Sequence, residues 1–474
     1  MTSDLGNSRR WEILAFTSVG AFMAPLDGSI ISVALPVMGS QLELSFEGTI
    51  WVQASYLLTM AVLLIPLGRL ADQRGRLKFY LTGIALFTLG SVGAATAIGS
   101  GSIILARAVQ GSGGALLSST SSAIVTSAFP ASERGKAMGI NVMAVYAGLS
   151  LGPPLGGFLV DSLSWHWIFL INIPIGIVVL LWGRRLRGAV VETTTDRKLD
   201  VSGSLWLGVA LISLLLPLTM HAKWGWMSSR TFLLFSISAF SFFSFFIRER
   251  KAIDPLIDMG MLRSNLPFTF GNVAALLNYM AIFAVGLLTS VWLQLAHGFS
   301  ASSAGWIMLG QPILQSVLSP FTGRLSDHVG TRALTMFGMI MTALGMTLLA
   351  MLGEGAGILP IVASLGVIGI GMASFSAPNS SAVMGSVEKT QLSLAGAFLG
   401  SMRVIGMTLS VAILGGIAAS RLGSGGWQDL LQYGSEGSGA TAFIWGYRLA
   451  MYTGAGFAIL GAIACLPKPK ISRS

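Results

Sequence analysis

The chain has 474 residues, 53% of them hydrophobic and only 10% charged, and its mean hydropathy is +0.75. Soluble domains carry about a quarter charged residues, so this composition excludes a chain that folds in water. The formal net charge is +10, and the one cysteine, Cys465, excludes a disulfide framework or a cysteine-based metal site.

Apolar runs of about 20 residues, enough to cross a hydrocarbon core of roughly 30 Å, recur about fourteen times. They fall near 11–38, 48–67, 79–98, 102–127, 137–160, 166–183, 201–220, 231–247, 267–296, 302–322, 333–352, 357–384, 391–418 and 441–466. Irregular backbone is not tolerated against lipid, so each run is expected to be a helix. The fold class is an all-α polytopic membrane protein. The first run follows Arg9 and Arg10 but continues well beyond the apolar core of a signal peptide, so it is read as a span.

With the N-terminus inside, most of the 29 basic residues fall on inner segments. These include Arg69, Arg74, Arg76 and Lys78, the linker residues Arg184, Arg185, Arg187, Arg197 and Lys198, and Lys389, Lys468, Lys470 and Arg473. Lys223, Arg230, Arg421 and Arg448 fall on outer segments, and Arg107 and Arg403 lie within spans. This asymmetry predicts cytoplasmic termini in the cell (inner) membrane. The charge is then a topology signal facing anionic lipid. No basic face with interleaved aromatics points to nucleic acid.

In chain order, the first chemical feature is Asp27, the only acid placed deep in a span, flanked by Pro25 and Gly28. Carboxylates at membrane depth are costly and mark ion or substrate pathways. Asp27 is a candidate proton site with Arg107 of span 4 as its counter-charge; the alternative is a fixed pair that only docks two helices. Next comes "GRLADQRGR", Gly68 to Arg76, at the inner end of span 2, echoed about 255 residues later by "GRLSDHVGTR" after span 10. Gly68 and Gly75 allow close helix approach and a tight turn, and Asp72, Arg74, Arg76 and Lys78 can form an ion-pair network. The second copy retains Gly323, Asp327 and Arg332, with Thr331 between Gly330 and Arg332. Two copies imply an internal repeat, the usual build of secondary transporters. Eight spans separate them, so two spans are inserted between two halves of six. Charged stretches fence off spans 7 and 8, giving a six-helix bundle over 1–187, linkers and two inserted helices over 188–265, and a second bundle over 266–474.

Span 5 carries Gly148, Gly152, Gly156 and Gly157 with Pro153 and Pro154. Small residues at four-residue spacing let helices touch, and the prolines kink the span. Arg403 is the deep cation of span 13; it either caps carbonyls of span 12 or faces a substrate cavity. Phe22, Trp51, Gln53, Tyr56, Asn278 and Gln311 are candidate cavity residues. The histidines have no metal-ligand spacing, and no nucleotide-binding phrase of the GxxxxGK[ST] kind occurs. No cofactor is implied, and without a nucleotide-binding phrase the energy is expected to come from an ion gradient.

The ordered set of phrases resembles the major facilitator superfamily, specifically its fourteen-span drug:proton antiporter group, along nearly the full length. The phrase at Gly68–Arg76 is similar to the superfamily's loop 2–3 motif, and "RAVQGSGGA" from Arg107 to its span 4 motif. "GLSLGPPLGG" from Gly148 resembles the antiporter motif of span 5. "LDGSIISVALP" from Leu26 resembles the group's span 1 motif, with Ser29 where threonine is usual. "WHWIFLINIPIG" from Trp165 resembles the start of span 6, with His166 in place of arginine. The resemblance implies two six-helix bundles plus two extra helices, and a loop network that latches onto the start of span 13 near Thr390–Ser393. It also implies a span 5 kink that controls a seal between the halves. The implied function is proton-coupled efflux of small amphiphilic or toxic compounds; the sequence leaves the oligomeric state open, and a monomer is expected to suffice. A metabolite uniporter or symporter of the same fold is the alternative. A membrane-embedded enzyme or lipid transferase would need a nucleophile–base or metal constellation within the spans, and none is visible.

Overall fold

The computed structural model describes residues 7–130, 132–186, 188, 199–252, 254–256, 259–353, 355–388, 391–422 and 425–466. Arg187, Arg197, Lys198, Lys389, Thr390, Lys468, Lys470 and Arg473 lie outside the described residues.

The long helices in chain order are α1 (Asn7–Gln41), α2 (Phe46–Arg74), α3 (Arg76–Ala95), α4 (Ser100–Ala128), α5 (Arg134–Ser162) and α6 (Trp167–Arg185). There follow α7 (Val201–Trp224), α8 (Ser229–Lys251), α9 (Leu266–Ala296) and α10, which is broken at Leu309 into Ala301–Met308 and Gly310–Val329. The last four are α11 (Thr331–Met351), α12 (Ile358–Gly385), α13 (Leu392–Ala419) and α14 (Ser438–Ala464). No strand occurs among the described residues.

Eleven helices among the described residues are long and apolar enough to cross a membrane. The other three expected spans coincide with α4, α10 and α14. Arg107, Gln110 and a run of serine and glycine dilute the apolar content of α4, and Arg448 does so in α14. In α10, whose longer segment Gly310–Val329 carries Gln311, Gln315, Arg324 and Asp327, polar residues do the same.

Local sequence sets the helix ends. Ser45, Ser228 and Ser300 each accept a backbone N–H three residues on, at 3.1, 3.2 and 3.2 Å, and so cap α2, α8 and α10. Asn265 does the same for α9 at 3.0 Å, with a proline in the first turn. The repeated phrase makes the same turn twice. α2 and α3 are joined through the single residue Gly75, and α10 and α11 through Gly330. Both glycines sit at positive φ, +106° and +88°, and both N–H groups bond the carbonyl four residues back, of Ala71 and Ser326. A residue with a Cβ is strained there, which is why glycine ends the charged phrase in each copy.

The repeat extends into packing. A Cβ on Gly83 or Gly90 of α3 would meet α4, at Leu116 Cβ 2.8 Å and Gln110 N 2.6 Å away. At the same interval as the repeated phrase, Gly338 and Gly345 of α11 meet α12, at Gly371 O and Ile368 Cγ1, both 2.6 Å away. Lipid offers little hydrophobic drive between helices, so close backbone approach through small residues carries the association. Within each half α1 packs on α5 and α2 on α4, matched by α9 on α13 and α10 on α12. α7 and α8 pack as a pair, with α7 lying against α2 and α13.

The halves meet through α5 with α10, α2 with α13 and α1 with α9. Their polar cross-contacts cluster at the end opposite the two glycine turns. Trp427 Nε1, from the segment between α13 and α14, donates to Leu44 O at 2.8 Å, and Gln294 Nε2 donates to Val33 O at 2.8 Å. Asp161 Oδ2 accepts Ser302 N–H at 2.7 Å. Gln294 lies on a last turn of α9 that is widened to a π-helix, Trp292–Ala296.

Candidate functional site: a buried charge network and a seam

Pro25 and Pro36 lie inside α1. A proline lacks the N–H that would close the helical ladder, so carbonyls one turn back are released near Asp27. The Asp27 carboxylate is 1% exposed and receives three donors: Arg107 Nη1 at 2.5 Å, Gln110 Nε2 at 2.6 Å and Asn172 Nδ2 at 3.1 Å. Arg107 is fully buried. Its Nε donates to Val52 O at 3.1 Å, its Nη1 also reaches Gln110 Oε1 at 2.5 Å, and its guanidinium lies 4.5 Å from the Tyr56 ring centre. Gln110 Nε2 in turn donates to Ser91 Oγ at 3.0 Å. One ion pair therefore ties α1, α2, α3, α4 and α6 together. Breaking such a pair from one side leaves an uncompensated buried charge, at a cost of about 3–5 kcal/mol. Arg107 Nη2 and Asn172 Oδ1 are buried without partners. The glycines after Arg107 make room for the network, since a Cβ on Gly111 would run into the Tyr56 carbonyl and one on Gly114 into its hydroxyl.

Asp27 and Arg107 are thus brought together. Gln110, Asn172 and Ser91 are the partners that sequence reasoning did not single out. Gln110 stands three residues after Arg107 in the span 4 phrase, and Asn172 lies inside the span 6 phrase "WHWIFLINIPIG". Both were within quoted motifs as uncharged polar residues.

The span 5 glycines form two contact rows. A Cβ on Gly148 would stand 2.5 Å from Phe22 O, and Cβ atoms on Gly152 and Gly156 would strike Ser29 and Ile30, so this row packs on α1. Gly157 faces the other half, where its Cβ would collide with Ala301 O, and Gly305 of α10 comes equally close to Pro153 O. Ser150 Oγ and Ser316 Oγ lie 3.2 Å apart across the same seam.

In the loop phrase, Arg76 Nε pairs with Asp72 Oδ1 at 2.6 Å. Arg69 reaches the Pro255 carbonyl in the segment before α9. A Cβ on Gly68 would stand 3.1 Å from Ser119 Cβ. Arg74 closes the last turn of α2, whereas Gly323 lies on α10, 3.9 Å from Ala377 Cβ by the same measure. Asp327 and Arg332 flank the Gly330 turn.

The remaining candidates separate. Gln53 is buried, with Nε2 3.5 Å from Gly28 O, and Trp51 is buried with its indole N–H unpaired. Phe22 and Gln311 are half-buried. Asn278 is fully buried and donates to Met339 Sδ at 3.0 Å, so its amide points between α9 and α11. Arg403 is half-buried and donates through Nη2 to Ser380 Oγ of α12 at 2.6 Å. Among the described residues no group of three or more His, Cys, Asp or Glu could hold a metal ion.

The family model of the Major Facilitator Superfamily matches residues 17–264 and 272–474. The chain belongs to the major facilitator superfamily. It is 33% identical over 413 residues to the multidrug resistance protein Stp of Mycobacterium tuberculosis, covering 86% of this chain and 76% of that protein. It is 29% identical over 415 residues to the riboflavin transporter RibZ of Clostridioides difficile, covering 87% and 89%. A crystal structure of a bacterial homologue of the human lysosomal transporter Spinster, inward-facing and unoccupied, matches with a TM-score of 0.68 at 15% identity, covering 97% of each chain. That last likeness is one of fold. The chain is therefore a multi-pass membrane transporter of the major facilitator superfamily, with two six-helix bundles and two extra helices between them.

Proposed function

We propose that this superfamily member exports small amphiphilic or toxic compounds in exchange for protons, as one of the fourteen-span drug:proton antiporters. The observation that carries the reading is the Asp27–Arg107 pair with its three further polar partners. A proton on Asp27 removes the charge that holds Arg107, Gln110 and Asn172. Because five helices of one half share the network, a single proton is felt by the whole half. Domains follow the same reading: one bundle over 1–187, linkers and inserted helices over 188–265, and a second bundle over 266–474.

The excess of basic residues in the loop phrases supports an orientation with the two glycine turns and both termini in the cytoplasm, in the cell (inner) membrane. On that orientation the sealed seam is on the outer side. Gly148, Gly152, Pro153, Gly156 and Gly157 keep α5 close enough to α1 and α10 for that seal to form. Gly68, Asp72, Arg74, Gly75 and Arg76, with Gly323, Asp327 and Arg332, serve the opposite state, in which the inner ends close. Each polypeptide carries both halves, so a monomer suffices. The likeness to Stp supports drug export.

A second reading, uniport or symport of a metabolite, is favoured by the likeness to RibZ. Protein reconstituted into liposomes with an acid lumen separates them. Cationic, neutral and anionic amphiphiles are offered outside, against protein-free liposomes. An antiporter concentrates its substrate in the lumen and loses it when nigericin collapses the gradient. A uniporter only equilibrates, and a proton symporter needs the reverse gradient.

A further inference from the structure

Two arginines lie at membrane depth in the described spans, and their surroundings differ. Arg107 is sealed against Asp27. Arg403 has no carboxylate partner among the described residues. Its Nη2 donates to the neutral Ser380 hydroxyl at 2.6 Å, its guanidinium carbon stands 5.8 Å from the Tyr279 ring centre, and its Nε is buried without an acceptor. Tyr146, on α5 of the other half, lies beside Arg403, Tyr279, Gln315 and Ser376. The cation therefore sits where the two halves face each other, about midway along α13 and α9.

A guanidinium at this depth is expensive unless a counter-charge reaches it. Its fork matches a carboxylate, and one hydroxyl uses only part of it. We propose that Arg403 seats the anionic group of the transported compound, which is an aromatic amphiphile bearing a carboxylate. The acid meets Nε and the terminal nitrogens of Arg403, and the ring system lies against Tyr279 and Tyr146. Bound this way, the substrate neutralises the one deep charge among the described residues of its half and touches both halves at once. This assignment rests on the reading of the protein as an exporter of small amphiphiles and narrows that class to acids and zwitterions.

The test uses rhodamine B, which carries a free carboxylate, and its ethyl ester, which has the same ring without it. Both are titrated by fluorescence anisotropy against the purified full chain. The wild type should bind the acid about ten-fold or more tightly than the ester, the scale of one charge-assisted pair. Arg403→Gln should bring the ratio to about one while leaving ester binding intact, which also reports that the variant is folded. Arg403→Lys should keep part of the preference. A wild type that fails to bind the acid, or binds the ester as well, overturns the assignment. So does an Arg403→Gln variant with the wild-type ratio. The two readings fail separately: an intact binding ratio without gradient-driven flux removes the exporter and keeps the site. Flux of both probes without preference removes the site alone.

Discussion

Gly157 and Ala301 meet backbone to backbone across the seam between the halves: a Cβ on Gly157 would run into the Ala301 carbonyl oxygen. No flexible side-chain end is available to yield there. Gly157→Val should therefore oppose closure of this end by about 1–3 kcal/mol, or about five- to 150-fold in population. Transport should fall accordingly while the protein still inserts. Thiol labelling of a cysteine placed at Ser150, in a background with Cys465 replaced, reads the change as increased access from outside.

Asp161 tests the same seam through charge. Its carboxylate accepts the Ser302 N–H in the first turn of α10, where the helix dipole favours an anion. Asp161→Ala should shift the balance away from the closed seam by about two- to five-fold, less at high salt. The same labelling assay checks it, and the effect should be smaller than that of Gly157→Val.

The glycine turns give a prediction in duplicate. Gly75→Ala and Gly330→Ala place a Cβ at φ +106° and +88°, and each should cost about 1–3 kcal/mol. Thermal unfolding of the purified variants should show similar losses in the two halves. Asp72→Asn removes the Arg76 ion pair without touching the turn. That change, like Gly68→Val against Ser119, should cut flux while leaving the unfolding temperature nearly unchanged for Asp72→Asn. Equal flux in all four variants would reduce the phrase to a topology signal.

The spans and the repeat were legible because both rest on strong signals. Apolar runs of spanning length mark helices, and a glycine that must adopt positive φ recurs at Gly75 and Gly330. Asp27 and Arg107 stood out because charge at depth is rare. Gln110, Asn172 and Ser91 did not, since uncharged polar side chains occur along many spans and only the fold says which of them converge. The contact between Leu44 and Trp427 joins residues far apart in sequence, and no local pattern encodes it. Asn278 looked like a cavity residue by position, but its side chain is taken up by Met339 inside its own half. Arg403 was visible as a cation, and only its neighbours Ser380, Tyr279 and Tyr146 gave it a setting.

The proposed exchange turns on Asp27 as the residue that binds the coupling proton. Asp27→Asn keeps the size of the side chain and an acceptor for Arg107 but fixes the uncharged form. Substrate accumulation should be measured in proteoliposomes under an imposed pH gradient, alongside exchange of pre-loaded substrate with no gradient. With Asp27 as the proton site, Asp27→Asn should lose gradient-driven accumulation while exchange persists. Accumulation by Asp27→Asn at the wild-type rate would contradict it and place the proton site elsewhere.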